Sequence, residues 1–557
     1  MERVATETPY QPLDGTNGRD PRMESTGLMN AGEVRSGSVC GSNGSPEEGS
    51  GRLLDHVEQP RHFDVSSERG DGSIGTTSTC KGAASMKKSV SFWPLVLLIF
   101  YSVSGGPFGV EPVVAAGGPL LALAGFMFLP LVWSVPEAMV TAELSSTFPE
   151  AAGCVAWVST AFGPFWGWME GYCSWVSGVT DNSLYPVLFL DYLVSLLPKD
   201  NFLRQDGLGR WGCIISLNVA MSYLTYRGLR VVGRTAIAIA VFSLLPFVVM
   251  TLWGLPGCTL PDSWLSPPDG GWSAVRWGTF LNVMFWNLNY WDSAASFAGE
   301  VNNPGKTYPR ALFACVILVV LCNGLPVLVG TGSAAVAAAA AEVTDGTGDK
   351  RWSLWVDGYF ADVASAVAGR WLGVWVVMAA AAANIGLFEA EMSSDAFQLM
   401  GMAERGIIPA VFAKRGPHGI SGLAVIFSST GVAFLGLLDF EAIVEILNLL
   451  YCFAELLEFA AFVKLRISHR DMYRPYEIPT GTVGVCILLL PASAFVILLA
   501  TLSSWLTWVV SGFTILIGCA LYPGLRLANR RQWCDFRAMT LYDGDLVSTE
   551  QVTACIE

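Results

Sequence analysis

The chain has, from Gly278 to Arg310, the sequence GTFLNVMFWNLNYWDSAASFAGEVNNPGKTYPR. This stretch starts with an apolar run typical of a membrane helix. It then places four polar residues where the middle of the hydrocarbon layer is expected: Asn287, Asn289, Tyr290 and Asp292. A carboxylate at that depth costs about 2.5–3.5 kcal/mol, so it faces a protein interior or a watery cavity. An opened backbone is tolerated there only where it lines a cavity, which predicts a substrate site. The alternative is a buried hydrogen-bond network that joins helices.

A second interruption lies near the start of the apolar region. Residues 104–112 have the sequence SGGPFGVEP, in which three glycines and a proline leave backbone groups that a helix cannot satisfy. The two interruptions are five apolar spans apart. Paired broken helices at matching positions of two halves are the sequence pattern of an inverted-repeat secondary transporter.

The composition of the chain is that of a membrane protein. Of its 557 residues, 52% are apolar and only 14% are charged, whereas about 25% charged is usual in soluble domains. A net charge of −14 argues against a nucleic-acid partner. The 13 cysteines form no CxxC pair, so neither a zinc site nor a disulfide framework is indicated. Because no nucleophile–base set, metal cluster or phosphate loop is present, we expect neither an enzyme nor a cofactor.

Hydrophobic spans of about 20 residues, the length that crosses ~30 Å of hydrocarbon, predict an all-α polytopic membrane protein with twelve transmembrane helices. The predicted spans are 90–115, 119–144, 160–194, 210–226, 231–254, 276–299, 309–333, 365–398, 419–436, 441–466, 482–501 and 505–525. Residues 1–88 are predicted to be a disordered cytosolic tail, residues 89–531 the transmembrane transporter domain, and residues 532–557 a cytosolic C-terminal tail. Lys and Arg concentrate in the loops on one side, which places both termini in the cytosol.

Acidic residues inside the apolar region suggest a pathway for cations or protons. From Ser89 to Pro198 there is no Lys or Arg, yet several acids lie in this segment. Three of them, Glu143, Glu150 and Asp191, are expected to be helix-end acids in the membrane interface.

Six blocks resemble the amino acid–polyamine–organocation transporters, specifically the plant-type polyamine uptake transporters beside the L-type amino acid carriers. They are SGGPFGVE (104–111), WSVPEAMVTAELSSTFPE (133–150), AFGPFWGWMEGYCSWVSGVTDNSLYPVLFLDYL (161–193), FWNLNYWDSAASFAGEVNNPGKTYPRALF (285–313), FEAEMSSDAFQLMGMAERG (388–406) and RPYEIPTG (474–481). The resemblance implies two inverted five-helix repeats plus two further helices, with the first and sixth helices broken. It also implies alternating access and proton-coupled uptake of putrescine, spermidine and spermine.

The resemblance also implies a substrate site. The unwound part of the first span would face the substrate, with Ser104, Gly105, Gly106, Pro107 and Phe108. The aromatic gate of the sixth span would be Trp286, and the unwound section after it would contain Asn287, Asn289 and Tyr290.

A polyamine has several ammonium groups and no carboxylate, so its site needs acids and aromatic faces. Candidates of this kind are Glu170 and Trp175 of the third span, Asp292, and Glu389 of the eighth span. Glu389 and Glu391 are about 200° apart on a helix and cannot both face one cavity. We expect Glu389 to face the pathway, and Glu391 and Asp395 to secure the cytosolic end.

The same acids have structural alternatives. Glu170 is either a cation ligand or a structural acid, and Asp292 could instead cap the second half of its broken helix. Glu137 is a proton site or a structural bond across the bundle. The candidates for proton coupling are therefore Glu137, Glu170 and Asp292, and Glu300 is expected to pair with a loop arginine as an inner gate.

Three functions are compatible with the sequence. The first is a proton-coupled polyamine importer in the plasma membrane, or an internal membrane, with no obligate protein partner. The second is an L-type transporter for neutral or cationic amino acids. The third is a non-transporting nutrient sensor, which the two interruptions disfavour because a sensor need not keep a substrate passage.

Overall fold

The computed structural model of the chain describes residues 90–198, 201–204, 207–344, 350–436, 440–536, 539–542 and 545–548. The predicted disordered tail, residues 1–88, lies outside the described residues, and the predicted C-terminal tail is described only in part.

Helices make up nearly all of the regular structure. The α-helices are α1 (Phe92–Val103), α2 (Glu111–Val132), α3 (Ser134–Thr147), α4 (Cys154–Phe162), α5 (Pro164–Asn182), α6 (Leu184–Ser195), α7 (Leu208–Tyr226), α8 (Leu229–Gly254), α9 (Trp277–Trp286), α10 (Pro304–Gly332), α11 (Ala334–Val343), α12 (Tyr359–Ala368), α13 (Arg370–Glu404), α14 (Gly422–Leu435), α15 (Phe440–Ser468), α16 (Gly481–Leu502) and α17 (Trp505–Arg530). The 3₁₀ helices are Phe202–Arg204, Leu255–Gly257, Pro261–Leu265, Trp272–Ala274, Asp292–Glu300, Trp352–Leu354 and Ala410–Ala413. Strands β1 (Met539–Tyr542) and β2 (Asp545–Ser548) pair in an antiparallel hairpin.

Helical segments lie in all twelve of the predicted apolar ranges. Within the described residues, seven helical segments are long and apolar enough to cross a membrane. They are Glu111–Thr147, Leu229–Gly257, Pro304–Gly332, Arg370–Glu404, Val444–Ser468, Gly481–Leu502 and Trp505–Arg530. The chain is thus built from apolar helices of membrane-spanning length, with shorter helices between them.

Glycines with left-handed backbone angles set several helix boundaries that the hydrophobic pattern misses. Gly369, with φ of 97°, separates α12 from α13, so the predicted span 365–398 is really the end of one helix and most of the next. Gly163, with φ of 95°, divides the predicted span 160–194 in the same way. Gly118, with φ of 77°, kinks α2 where the first predicted span gives way to the second. An L-residue rarely adopts such angles, whereas glycine does so at little cost.

The core is centred on α13, whose residues from Gly386 to Glu404 are all buried. This helix packs against α5, α6, α8 and α12, while α15 packs against α4, α5 and α16. At the periphery, α16 and α17 expose large apolar side chains such as Ile487 and Trp505. Such an exposed apolar surface fits contact with lipid.

A short backbone bridge ties the start of α1 to the end of the Asp292–Glu300 helix. The N–H of Val90 donates to the carbonyl of Glu300 at 3.1 Å, and the N–H of Asn302 donates to the carbonyl of Val90 at 3.2 Å. Val90 and Val301 thereby form a parallel bridge.

Candidate functional site

The predicted interruption after α1 is present in the structure. Helix α1 ends at Val103 and α2 begins at Glu111, and Gly105, Gly106 and Gly109 have positive φ values of 64°, 132° and 78°. The side chain of Glu111 accepts the N–H of Gly109 at 3.0 Å. The Glu111 side chain thus satisfies a backbone N–H that has no partner within a helix.

Ser104 joins this first interruption to α10. Its hydroxyl lies 3.2 Å from the side-chain nitrogen of Asn323 and donates to the carbonyl of Gly106 at 3.3 Å. Phe108 is buried and packs edge-on against Phe247 of α8 and Tyr192 of α6. The interruption therefore has Ser104 on one side and an aromatic cluster on the other.

The second predicted interruption, residues 287–291, is also present between α9 and the Asp292–Glu300 helix. Asn287 caps α9, because its side-chain nitrogen donates to the carbonyl of Val283 at 2.9 Å. Tyr290 has a left-handed φ of 64°, which is uncommon for a residue with a side chain. Its backbone N–H donates to the hydroxyl of Tyr451 at 3.0 Å, so α15 holds the strained residue in place.

The two interruptions meet. The side chain of Asn287 reaches the carbonyl of Gly109 at 3.4 Å, and the ring of Trp286 lies against Gly109. A small cavity lies between them, with these lining residues: Ser102, Val103, Ser104, Asp181, Tyr185, Trp286, Asn287, Tyr290 and Leu387.

Asp181 is the acid of this cavity. It is buried on α5, accepts the indole N–H of Trp286 at 2.8 Å, and accepts the hydroxyl of Tyr185 through its other oxygen. Both carboxylate oxygens therefore have a donor, and the half-buried Trp286 is held across the cavity. An aromatic ring beside a buried carboxylate suits an ammonium group.

Tyr290 separates this cavity from a second one, because it lines both. The second cavity is lined by residues 152–154, Ser174, Tyr290, Asp292, Ser293, Ser296, Glu391, Ser394, Asp395 and Gln398. Three of these, Asp292, Glu391 and Asp395, are buried acids. Asp395 accepts from the side chain of Asn182 at 3.3 Å.

Behind Asp292, further buried acids surround Tyr451 of α15. The Tyr451 hydroxyl lies 2.5 Å from Asp292, 2.8 Å from Glu137 and 2.7 Å from Glu455. Glu137 also accepts the backbone N–H of Trp291 at 2.9 Å. Glu137 is thus both a structural support of the second interruption and a member of an acidic group.

Glu170 of α5 lies next to this group. It is fully buried, and within the described residues neither of its oxygens has a hydrogen-bond donor. Its carboxyl group lies next to that of Glu458. Cys154 connects the two sets of acids, since its thiol lies 3.5 Å from the Asp292 carboxylate and also contacts Glu458.

Two of the predicted residues lie elsewhere. Glu389 accepts a hydrogen bond from Thr235 of α8, whereas Glu391 lines the second cavity. The expectation placed Glu389 on the pathway, whereas in the structure it is Glu391 and Asp395 of α13 that line a cavity. Trp175 donates to Ser428 of α14 at 2.9 Å and stacks on Phe427, so it faces away from both cavities. Packing against neighbouring helices fixes the rotation of each helix about its own axis, and this rotation determines which of its side chains face a cavity.

Asn289 is fully buried, and its side-chain nitrogen lies 3.5 Å from the Asn448 side chain of α15. It therefore secures the second interruption to α15 and lines neither cavity.

The sequence prediction gave no site role to Tyr185, Tyr451, Glu455 or Glu458. A signal was available in helical spacing. Tyr451, Glu455 and Glu458 follow one another at intervals of four and three residues, and so share one face of α15.

Ion pairs close one end of the bundle. We call α9 and the Asp292–Glu300 helix together the broken helix. Glu300, at its end, pairs with Arg415 at 2.7 Å, and the sequence predicted such a pair with a loop arginine. Arg415 also reaches Glu404 of α13 at 3.4 Å. Nearby, Arg405 forms a bidentate ion pair with Glu150, in which two guanidinium nitrogens lie 2.9 and 2.7 Å from the two carboxylate oxygens. These bonds hold the broken helix, α13 and the segment before α4 together.

A more buried ion pair corrects the expectation that Glu143 is an interfacial acid. Glu143 is fully buried and accepts from Arg466 of α15, from Arg474 at 3.2 Å and from the N–H of Ile478 at 2.9 Å. Two arginines and a backbone donor compensate its charge, so Glu143 is a structural anchor between α3, α15 and the segment after it.

Comparisons with known proteins agree with this architecture. A sequence model of the amino acid permease family matches residues 90–521. The chain is 51% identical over 445 residues to a probable polyamine transporter of Arabidopsis thaliana, an alignment that covers 80% of this chain and 88% of that protein. It is 45% identical over 475 residues to the polyamine transporter RMV1 of the same plant, with 85% and 92% covered. It is 47% identical over 452 residues to the polyamine transporter PUT1 of Oryza sativa subsp. japonica, with 81% of each covered.

The family and these relatives are transporters rather than enzymes, as the sequence predicted. Together with the apolar helices of sufficient length, the family makes the chain an integral membrane protein that crosses the bilayer several times. The match extends over more than three quarters of the chain, and the resemblance inferred from the six sequence blocks is confirmed. This chain therefore belongs to the amino acid permease family.

Proposed function

We propose that the protein imports polyamines such as putrescine, spermidine and spermine. The observation that carries the proposal is the pair of cavities on either side of Tyr290, where the two interruptions meet. Buried acids and aromatic rings line them, and no Lys or Arg is among their lining residues in the described part of the chain. The relatives named as polyamine transporters support the same substrate.

The chemistry of the two cavities matches a chain of ammonium groups separated by methylenes. Asp181, with Trp286 and Tyr290, offers a carboxylate and aromatic faces on one side, while Asp292 and Glu391 offer carboxylates on the other. An ammonium group bound at each side would place the intervening methylenes against Tyr290. A substrate carboxylate, in contrast, would meet like charge on both sides.

The transport cycle that we propose is alternating access in a fold of two inverted five-helix repeats and twelve membrane spans. Trp286 is the aromatic gate on the substrate, and the Glu300–Arg415 pair is the inner gate. The first interruption, Ser104 to Phe108, faces the substrate. Residues 89–531 form the transporter domain, both termini lie in the cytosol, and the plasma membrane is the proposed location. No protein partner is required in this proposal.

Proton symport would drive the uptake, with Glu137, Glu170 and Asp292 as the coupling residues. All three are buried, and none takes part in an ion pair in the described part of the chain. A buried carboxyl group without a cationic partner favours its protonated form, which makes it suited to carry a proton.

Radiolabelled spermidine uptake in cells that express the protein tests this function. We expect saturable uptake that a proton uncoupler abolishes and that excess putrescine blocks. If excess leucine or arginine blocks the uptake while putrescine does not, the protein is an L-type amino acid transporter. The absence of saturable spermidine uptake at a verified expression level would refute the proposal.

A further inference from the structure

Five buried acids from four segments of the chain lie around Tyr451 and Cys154, and we call them the acid cluster. They are Glu137 of α3, Glu170 of α5, Asp292 of the broken helix, and Glu455 and Glu458 of α15. Each is at most 3% exposed, and none belongs to an ion pair in the described part of the chain. Like charges this close in a low-dielectric interior cannot all be ionised together. Some of the five must therefore be neutralised.

The hydrogen bonds at Tyr451 require a protonated acid. A phenol has one proton to donate and two lone pairs with which to accept. One lone pair of Tyr451 already accepts the N–H of Tyr290. Oxygens of Asp292, Glu137 and Glu455 nevertheless lie 2.5, 2.8 and 2.7 Å from the hydroxyl oxygen. The phenol can donate to only one of them, and oxygens this close without a proton between them repel. At least one further proton therefore resides on these acids.

Glu170 and Glu458 require another proton. Neither oxygen of the fully buried Glu170 has a donor within the described residues, and its carboxyl group faces that of Glu458. Two facing carboxyl groups form a hydrogen bond only when one of them carries a proton. Because the Cys154 thiol contacts both Asp292 and Glu458, the two halves of the acid cluster form one connected network.

A metal ion is the other neutralising agent to consider. Two groups have ligand atoms close enough together to hold one, namely Glu137 with Asp292 and Glu455, and Cys154 with Asp292 and Glu458. In the first group, however, the Tyr451 hydroxyl already lies within 2.8 Å of all three acids, in the position that a metal would take. In this first group the geometry thus favours protons over a metal.

We propose that the acid cluster is a proton-binding site, which holds α3, α5, α15 and the second half of the broken helix together while its acids share protons. The proposal rests on the proposed transport function and adds Glu455, Glu458 and Tyr451 to its coupling machinery. When the site opens to water, O–H bonds of the carboxylic acids break and the protons pass to water. The carboxylates that remain repel one another, and the four segments separate. Uptake of protons from the other side restores the contacts.

The surroundings of the acid cluster contain no compensating cation in the described residues. The other ionisable side chains that face it are Cys154, Cys173, Tyr290, Glu391, Tyr451 and Cys452. All are neutral or negative, so among the described residues no side chain offsets the charge of the acid cluster, and bound protons or a cationic substrate must do so.

The test uses Glu455→Gln, which imitates a permanently protonated acid, in the full-length protein reconstituted in liposomes. We expect this variant to exchange spermidine across the membrane at equal concentrations but to lose accumulation driven by a proton gradient. Glu445→Gln is the matched control. It makes the same substitution on the same helix, but Glu445 bonds to Thr507 outside the acid cluster. This control keeps both activities.

A second readout does not depend on transport. The infrared carbonyl band of protonated carboxylic acids should be present in the wild-type protein at neutral pH, and weaker in Glu455→Gln but not in Glu445→Gln. Tyr451→Phe keeps the ring and removes the hydroxyl, so it should shift the same band. This variant replaces Glu455→Gln in the test if Glu455→Gln fails to fold. Proton-driven accumulation by Glu455→Gln with the wild-type pH dependence, or an absent band in the wild type, overturns the proposal. A wild-type protein with this band but without spermidine transport would refute the proposed function alone.

Discussion

Replacing Asp181 by asparagine should weaken polyamine transport with little damage to the fold. The carboxylate is 1% exposed and accepts from Trp286 at 2.8 Å and from Tyr185. Asparagine keeps one acceptor, and the Tyr185 hydroxyl can turn to accept from the new amide. What is lost is the negative charge that an ammonium group would meet between the two interruptions.

The size of the effect follows from the energy of a hydrogen bond to a charged group. Such a bond contributes about 1.5–3 kcal/mol, and about 1.4 kcal/mol corresponds to a tenfold change in affinity. We therefore expect the KM for spermidine to rise roughly tenfold to a hundredfold. The assay is the initial rate of radiolabelled spermidine uptake over a range of concentrations, with the amount of protein in the membrane measured in parallel.

Asp191→Asn provides the matched control. Asp191 lies ten residues further along the chain, its side chain is 47% exposed, and it pairs with Arg210 at 2.8 Å. An exposed ion pair contributes only about 0–1 kcal/mol, so this variant should transport nearly as the wild type does. If Asp181→Asn had a wild-type KM at equal expression, Asp181 would not be a cation ligand and the reasoning about the first cavity would fail.

Three further predictions concern stability, the first interruption and the gate. Glu143→Gln leaves two buried arginine groups without their carboxylate and should destabilise the protein by about 3–5 kcal/mol, whereas Glu477→Gln, whose side chain is 60% exposed, should be nearly neutral in the same thermal unfolding assay. Gly105→Ala should abolish uptake, because φ is 64° and the new Cβ would lie 2.6 Å from a leucine side chain. Gly163→Ala, at φ of 95° and ψ of 174° with open space around it, should cost only backbone strain of about 1–3 kcal/mol and retain uptake. Arg415→Met removes the bonds to two acids and should speed spermidine efflux from preloaded vesicles several-fold, and an unchanged rate would contradict its role in the inner gate.

The interruptions were predictable from sequence because they depend on local chemistry. Gly105, Gly106 and Pro107 together strongly disfavour a continuous helix, and an asparagine such as Asn287 can cap α9 through its own side chain. Glu300 was also predictable as a partner of a loop arginine, since an acid at a helix end and a basic loop lie on the same side.

The rotation of the helices could not be predicted in this way. Helical geometry states that Glu389 and Glu391 face different directions, but not which of them faces the cavity. That depends on α8, whose Thr235 donates a hydrogen bond to Glu389, and on the position of the second interruption next to Glu391. The direction of Trp175 depends in the same way on its neighbour, because α14 lies on its side of α5 and Ser428 accepts its indole N–H.

The acid cluster lies beyond sequence reasoning for a different reason. Its members come from positions as far apart as Glu137 and Glu458, and a single chain without aligned relatives does not reveal which distant acids meet. Within α15, the spacing of Tyr451, Glu455 and Glu458 predicts a shared face. It does not identify the segments that this face meets.

The backbone bridge between Val90 and Val301 has a mechanical consequence. Two hydrogen bonds, of 3.1 and 3.2 Å, fasten Val90, just before α1, to the end of the helix that contains Asp292. The two half-helices on this side of the interruptions are therefore expected to travel as a single lever, with the unwound segments as its pivots. Any force applied where the chain enters α1, whether by a binding partner or by a fused protein, would be transmitted directly to the Glu300–Arg415 pair.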